Sequence, residues 1–252
     1  MHILALDTSS TTASVALMDP YIVLAESSIT LADLRGGGRQ THSETLMPMI
    51  DRLFKLTGMT LSDIDYITCT CGPGSFTGLR IGAAAAKGLA FAAEKPLIAV
   101  PTLDAMAYTV TNLAMPNTWV IPMMDARRGQ AYAAFYNIGE DLLINRTTDY
   151  LAEAVPDLLT MLKGQISERC RIIFLGDGAS TNQDRIMSET WTVGTTATFA
   201  PSFHNRSRAA CVGAQAINII KSKYPVPTSE SDFSLLYIRK PQAQRELEAR
   251  QK

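Results

Sequence analysis

The sequence predicts an α/β protein of two tandem units, each running β-β-β-α-β-α-β-α around a mixed sheet. Three observations predict it. The order of strand-like and helix-like apolar runs over residues 1–112 recurs over residues 113–228. Each half opens with an apolar run ending in an aspartate, "MHILALD" at Asp7 and "TWVIPMMD" at Asp125. No long low-complexity linker separates the halves; the pattern breaks only near "TNLAMPN", around Pro116.

The elements follow in order. "MHILALD" is a strand entering the polar turn Thr8-Ser9-Ser10, and "TASVALMD" and "IVLAESSIT" are the next two strands. "HSETLMPMIDRLFKLTG" is a helix. Thr41 and Glu44 have capping-box spacing at its start, Gly58 lies past its end, and Leu46, Met49, Ile50 and Leu53 form its apolar stripe. "IDYITCTC" is a strand, "CGPGSFTG" a turn, "TGLRIGAAAAKGLAFAAE" a helix, "PLIAV" a strand, and a helix begins near Thr102. In the second half "QAYAAFYN" and "LLINRTTDYL" follow the opening strand. "EAVPDLLTMLKG" is a helix, "CRIIFLGDG" a strand, "ASTNQDRIMSE" a helix, "TATFAPS" a strand and "SRAACVGAQAINIIKSK" the closing helix. Residues 229–252 are a tail whose end, "RKPQAQRELEARQK", is expected as a loosely held, solvated helix.

Composition narrows the function. With 252 residues and 46% hydrophobic content the chain can bury real cores. A net charge of −1 provides no basic field for nonspecific nucleic-acid or membrane binding. Cys69, Cys71, Cys170 and Cys211 lack zinc-site spacing, so they read as reduced core thiols and no metal site is expected. No run reaches the ~20 apolar residues of a membrane span. The expectation is a soluble, cytoplasmic protein.

Asp7, Thr8 and Ser9 form a turn that could offer N–H groups to phosphate and a carboxylate to Mg²⁺, or merely cap the turn. The "GPGSFTG" turn is not a Walker loop, because no lysine and hydroxyl follow where that loop needs them. As a dinucleotide fingerprint it keeps Gly72 and Gly74 but has Thr77 at the third position. With Ser75 these remain nucleotide-site candidates. Gly78, Gly82 and Ala86 lie on one face of the following helix. Glycine inside a helix costs ~1 kcal/mol against alanine, so the face is expected to admit a partner helix in preference to the chain's own sheet. In "DARRG", Asp125 matches Asp7, but two bulky arginines precede the glycine. Arg127 and Arg128 could pair with a carboxylate or an RNA phosphate, or be solvated. A two-metal nuclease lacks its carboxylates here, since the strand after Asp7 and Glu44 ends in Cys71-Gly72. A hydrolase lacks a base beside a nucleophile: the histidines are His2, His42 and His204, with no nucleophile elbow.

The element order resembles the actin-like, sugar-kinase and Hsp70 group, whose halves are ribonuclease H-like domains. More specifically, "GPGSFTGLRIGAAAAKGLAFA", "HSETLMPMI", "AVPTLDAMA" and "DARRGQAY" closely resemble the bacterial TsaB family, strongly over residues 1–135. The resemblance implies a degenerate sibling of TsaD, the transferase that makes N6-threonylcarbamoyladenosine at position 37 of ANN-decoding tRNAs. TsaD's metal-holding HxxxH falls here at Thr102 and Met106, so the resemblance implies a chain without the catalytic metal. It implies a non-catalytic scaffold that binds TsaD directly, meets TsaE in a ternary complex, reaches tRNA through the complex and self-associates when alone. No cofactor is then required, although weak ATP or ADP binding is compatible with the fold. An independent ATPase or small-molecule kinase is the alternative. The partner surface is expected on the helices of residues 1–112, at His42, Leu46, Gly78, Arg80, Gly82 and Ala86.

Overall fold

The computed structural model describes residues 1–31, 41–110, 115–222 and 232–239. The expected boundaries at 112/113 and 228/229, and all but the first residue of the expected terminal helix, lie outside them.

The first sheet has the order β3-β2-β1-β4-β5, from β1 (Ile3–Asp7), β2 (Thr12–Met18), β3 (Val23–Thr30), β4 (Tyr66–Gly72) and β5 (Leu97–Pro101). β1 pairs antiparallel with β2 and parallel with β4. Every residue of β1 and β2 is buried, because helices cover both faces of this part of the sheet. Helices α1 (His42–Thr57) and α2 (Phe76–Ala93) cover one face through Leu46, Ile50, Leu53, Ala83, Ala86 and Ala90. Glu44 caps α1, its carboxylate accepting the Thr41 N–H at 2.8 Å, and Gly58 closes it at φ 69°.

The second sheet repeats this order as β10-β7-β6-β11-β12, with β8 beside β6 and β9 beside β8. Its strands are β6 (Thr118–Asp125), β7 (Gln130–Ala133), β8 (Tyr136–Ile138), β9 (Ile144–Arg146), β10 (Leu151–Ala154), β11 (Arg171–Leu175) and β12 (Thr196–Phe199). The single strand expected over "QAYAAFYN" is thus two. Its register is unbroken, with Met123 opposite Ala133 and Val120 opposite Tyr136. Pro122, with no N–H to donate, lies in the gap. The run expected as one strand over "LLINRTTDYL" also divides, β9 pairing with β8 and β10 with β7. Helix α4 (Val155–Lys163) packs on this sheet, as do α5 (Asp177–Thr181) and α6 (Gln183–Ser188). The last two were expected as one helix. They part at Asn182, whose amide donates to Gly178 O at 2.8 Å.

The halves exchange their closing helices. Helix α7 (Ala209–Lys221) follows the second sheet, yet Ala209, Val212 and Ala216 pack on Ala5, Ala16, Ile98 and Val100 of the first. Helix α3 (Thr102–Tyr108) follows the first sheet, yet Leu103, Met106 and Ala107 pack on Val120, Met124, Tyr136 and Leu175 of the second.

Residues 232–239 form an extended strap across the molecule. Phe233 is buried in the α1–α2 core. The Leu236 N–H donates to Cys71 O at 2.7 Å. The Arg239 guanidinium donates to Ala126 O at 3.1 Å and to Gln130 Oε1, and lies over the Tyr132 ring. But for Arg239, this stretch precedes the segment expected as a loosely held helix: Leu235 and Leu236 beside Phe233 pin the strap to the first half, and Arg239 ties it to the second.

Candidate functional site

β1 ends in the buried Asp7, whose Oδ1 accepts the Ser9 N–H at 2.9 Å and the Thr70 hydroxyl at 2.7 Å. Asp7 Oδ2 and Ser9 Oγ have no hydrogen-bond partner. The Thr8 hydroxyl donates to Gly78 O at 2.8 Å, and the Ser75 N–H donates to Ser9 O at 2.6 Å. The Asp7 turn and the glycine-rich turn therefore bind each other. The N–H groups of Ser9 and Ser75 are thus used within the protein.

The glycines serve that contact. A Cβ on Gly74 would collide with Ser9 O, and one on Gly72 would stand 2.5 Å from Leu236 O. Both also have positive φ, 158° at Gly74 and 118° at Gly72, which disfavours any side chain. The carbonyl oxygens of Leu236 and Ser9 therefore pack directly against the glycine-rich turn. A Cβ on Gly78 would collide with Thr8 O; one on Gly82 would collide with Thr8 Oγ1 and approach Cys69 Sγ to 3.2 Å. Ala86 is fully buried in the same packing. The expected partner face of Gly78, Gly82 and Ala86 is thus corrected: its small residues let α2 approach the chain's own β1 and β4. Leu46, 1% exposed, is likewise core.

The outer side of α2 is different. Thr77, Ala84, Gly88 and Phe91 are exposed and Ile81 is half-buried, at helical spacing. A Cβ on Gly88 would meet nothing within 4 Å, and Phe91 is 73% exposed. Met47 and Leu56 of the neighbouring α1 are exposed as well. His42 is half-buried at the start of α1, its Nε2 without a partner. Arg80 is exposed, stacked 3.9 Å over Phe76, with Nε donating to the Tyr237 hydroxyl at 3.2 Å. The i, i+4, i+7, i+11, i+14 spacing of this outer stripe was legible in the sequence. Two small-residue faces on one helix concealed which faced outward.

Between the halves, Ser9, Ser10, Thr11, Met106, Met124, Asp177, Asn205, Arg206 and Ser207 line a cavity of about 30 Å³. Small-molecule sites are typically ~300–1,000 Å³, so this cavity is small by comparison. Asp177 accepts the Asp125 N–H at 2.9 Å; burial raises its pKa above the ordinary carboxylate value. Asp125 itself is exposed and accepts the Arg127 N–H at 2.8 Å. Arg127 and Arg128 are exposed, at φ 64° and 57°.

At the place of the expected metal helix, Thr102 is buried with an unpartnered hydroxyl, and Met106 is packed among core residues. Among the described residues no cluster of three metal-binding side chains exists. Sequence reasoning missed Asp104 on this helix. Its carboxylate accepts the hydroxyls of Tyr136 at 2.5 Å and Tyr150 at 2.9 Å from the second half. Burial raises the Asp104 pKa, and the two hydroxyls offset this in part. Burial and the Asp104 charge push the Cys71 thiol up to about 12, so it is inert as a nucleophile.

A family model described as "TsaD: tRNA N6-adenosine threonylcarbamoyltransferase" matches residues 30–231. The chain is 32% identical to the tRNA threonylcarbamoyladenosine biosynthesis protein TsaB of Bacillus subtilis over 219 residues, covering 85% of this chain and 88% of that protein. It is 37% identical to the Escherichia coli TsaB over 141 residues, 56% of this chain and 57% of that one. Among solved structures, YeaZ from Pseudomonas aeruginosa superposes with a TM-score of 0.70 at 22% identity, covering 94% of this chain and 99% of that one. An inorganic polyphosphate/ATP-glucomannokinase from an Arthrobacter strain superposes at 0.51 with 8% identity, covering 86% and 99%. The fold is therefore that of the actin-like ATPases, two ribonuclease H-like units in tandem.

Proposed function

We infer that this chain, which belongs to the TsaB family of tRNA threonylcarbamoyladenosine biosynthesis proteins, works as a non-catalytic scaffold or activating subunit. Its direct partner is the same organism's TsaD, in the complex that forms N6-threonylcarbamoyladenosine at position 37 of ANN-decoding tRNAs. Residues 1–112 and 113–228 are its two units and 229–252 its tail. TsaE joins as a third component, tRNA is reached through the complex, and the chain forms a homodimer when alone. The place of work is the cytoplasm. Among the described residues no helix is long and apolar enough to cross a membrane.

One observation carries this reading. The glycine-rich turn is packed against the carbonyls of Ser9 and Leu236, which supports a chain that keeps the fold without the phosphate chemistry. Neither a nucleotide nor a metal is required. Among the apolar surfaces the first unit leaves open is the outer stripe of α2, Ile81, Ala84, Gly88 and Phe91; Met47 and Leu56 of α1 are exposed as well. Apolar surface of this kind marks a protein contact, and Gly88 lets a partner helix come close. This stripe replaces the buried Gly78–Gly82–Ala86 face as the docking surface for TsaD or a second copy.

Co-purification with the same organism's TsaD tests the reading: a stable 1:1 or higher complex that restores tRNA modification is expected. Calorimetry with ATP and ADP tests the alternative. Binding tighter than about 10 μM, about −7 kcal/mol, together with turnover, would establish an independent ATPase or kinase instead.

A further inference from the structure

The turn between β6 and β7 has an unusual backbone. Arg127, Arg128 and Gly129 all have positive φ, 64°, 57° and 71°. For arginine this region costs ~1–3 kcal/mol per residue, and such strain persists where the surroundings fix it. Here the fixing bonds are Arg127 N–H to Asp125 Oδ1, Gln130 N–H to Arg127 O at 3.2 Å, and Ala126 N–H to Gln130 O at 3.0 Å. Among the described residues, neither the Arg127 nor the Arg128 guanidinium has an ion-pair or hydrogen-bond partner. The backbone N–H groups of Arg128 and Gly129 are also unbonded among them. Both arginines stand exposed on a fixed turn with their donors free.

The strap places more of the same chemistry beside this turn. Arg239 binds Ala126 O, next to Arg127. Two residues back along the strap, Tyr237 meets Phe76 at 5.5 Å between ring centroids and accepts from Arg80. The Phe76 and Tyr237 rings are 41% and 40% exposed. The strap therefore runs from the half-exposed Phe76–Tyr237 pair to Ala126, next to the exposed arginine turn, within three residues.

We propose that this surface, the Arg127–Gly129 turn with Arg80, Phe76 and Tyr237, binds the sugar-phosphate backbone of RNA. Arg127 and Arg128 each take a phosphate, which matches the planar guanidinium fork. The Arg128 and Gly129 N–H groups add donors to the same anion. The rings offer a base a stacking face, for which an acidic peptide has no use; that decides between the two polyanions. Only the identity of the RNA, the tRNA of the modification complex, rests on the proposed function. The near-zero net charge agrees with an RNA contact that needs the complex for strength.

The test is Arg127→Asn/Arg128→Asn, since asparagine tolerates positive φ and removes both charges. An ANN-decoding tRNA transcript is titrated by fluorescence anisotropy against the co-eluted complex with TsaD, over a salt series. If no complex elutes, the titration is run on the chain alone. The double variant should lose about tenfold in affinity, and its log–log salt slope should fall by about 1.5, as expected for two phosphate contacts. Its melting temperature and co-elution with TsaD should not change. An unchanged affinity and slope would overturn the proposal. So would an equal loss of binding to polyglutamate, which would assign the surface to an acidic protein. Failure of the wild-type chain to co-elute with TsaD counts against the proposed function alone, because the salt slope is read either way.

Discussion

Thr8 and Gly82 are in contact where the end of β1 meets the second turn of α2: a Cβ on Gly82 would collide with Thr8 Oγ1. The same hydroxyl donates to Gly78 O, one turn earlier. Helix and strand are locked by a side chain that needs two glycines beside it.

Gly82→Leu should therefore damage the fold and not an interface. Overpacking a filled core typically costs ~1–3 kcal/mol, and here the obstacle is partly fixed by its own hydrogen bond. For a chain of this size ~1 kcal/mol moves Tm by roughly 2–4 °C, so a Tm fall of about 5 °C or more is expected in a thermal melt. A variant with an unchanged Tm that fails to dimerise would restore the interface reading of this face.

Ala84→Glu and Gly88→Glu should do the reverse. Both sites are exposed, and glutamate is a better helix former than glycine by about 0.5–1 kcal/mol, so Tm should hold or rise. A charge on each side of an apolar contact should abolish self-association and TsaD binding together. Analytical ultracentrifugation and co-elution read the two losses. Normal assembly of both variants would move the partner surface elsewhere.

How far the sequence revealed this arrangement differs between the fold and the site. The element order of the first half, the Thr41–Glu44 cap and both strand-end aspartates were legible, because periodicity and capping are local. The partner of Gly82 was not. A small-residue face says that a backbone comes close but not whose, and Thr8 is remote from Gly82 in sequence. The exchange of α3 and α7 was hidden for the same reason: each helix has an apolar face, and only the three-dimensional arrangement determines which sheet it covers. The docking of Leu236 on Cys71 was hidden because its hydrogen bond comes from the backbone, to which sequence pattern is blind. Asp104 looked like an ordinary acid in the first turn of a helix.

Asp104 sets a pH dependence. Its folded-state pKa is raised above 3.8, chiefly by burial. A raised pKa means that the folded state holds the proton longer than the unfolded chain does. The associated stability is present below the unfolded pKa and is lost as pH rises through the folded value. The wild type should therefore lose stability relative to Asp104→Asn as pH rises from about 4 towards 7. Melts of both proteins across that range check the sign. A gap that widens in favour of the wild type would show that the Tyr136 and Tyr150 hydrogen bonds outweigh the desolvation.

The strap supplies the last prediction. Phe233 is 3% exposed and packs in the core that α1 and α2 share with the first sheet. Phe233→Ala should cost ~3–5 kcal/mol, the usual range for a buried phenylalanine. The loss should spread beyond the cavity. With its anchor gone, the strap loses what holds the Leu236 N–H on Cys71 O, and the space beside Gly72 opens. Tyr237→Ala removes a half-exposed ring and its bond from Arg80, so it should cost about 1 kcal/mol and leave the anchor in place. Hydrogen exchange separates the two variants. The Leu236 amide should exchange much faster in Phe233→Ala and near its normal rate in Tyr237→Ala. If the Leu236 amide stays protected in Phe233→Ala, the strap is held by Arg239 on Ala126 and Gln130, and its anchor lies on the second half of the chain.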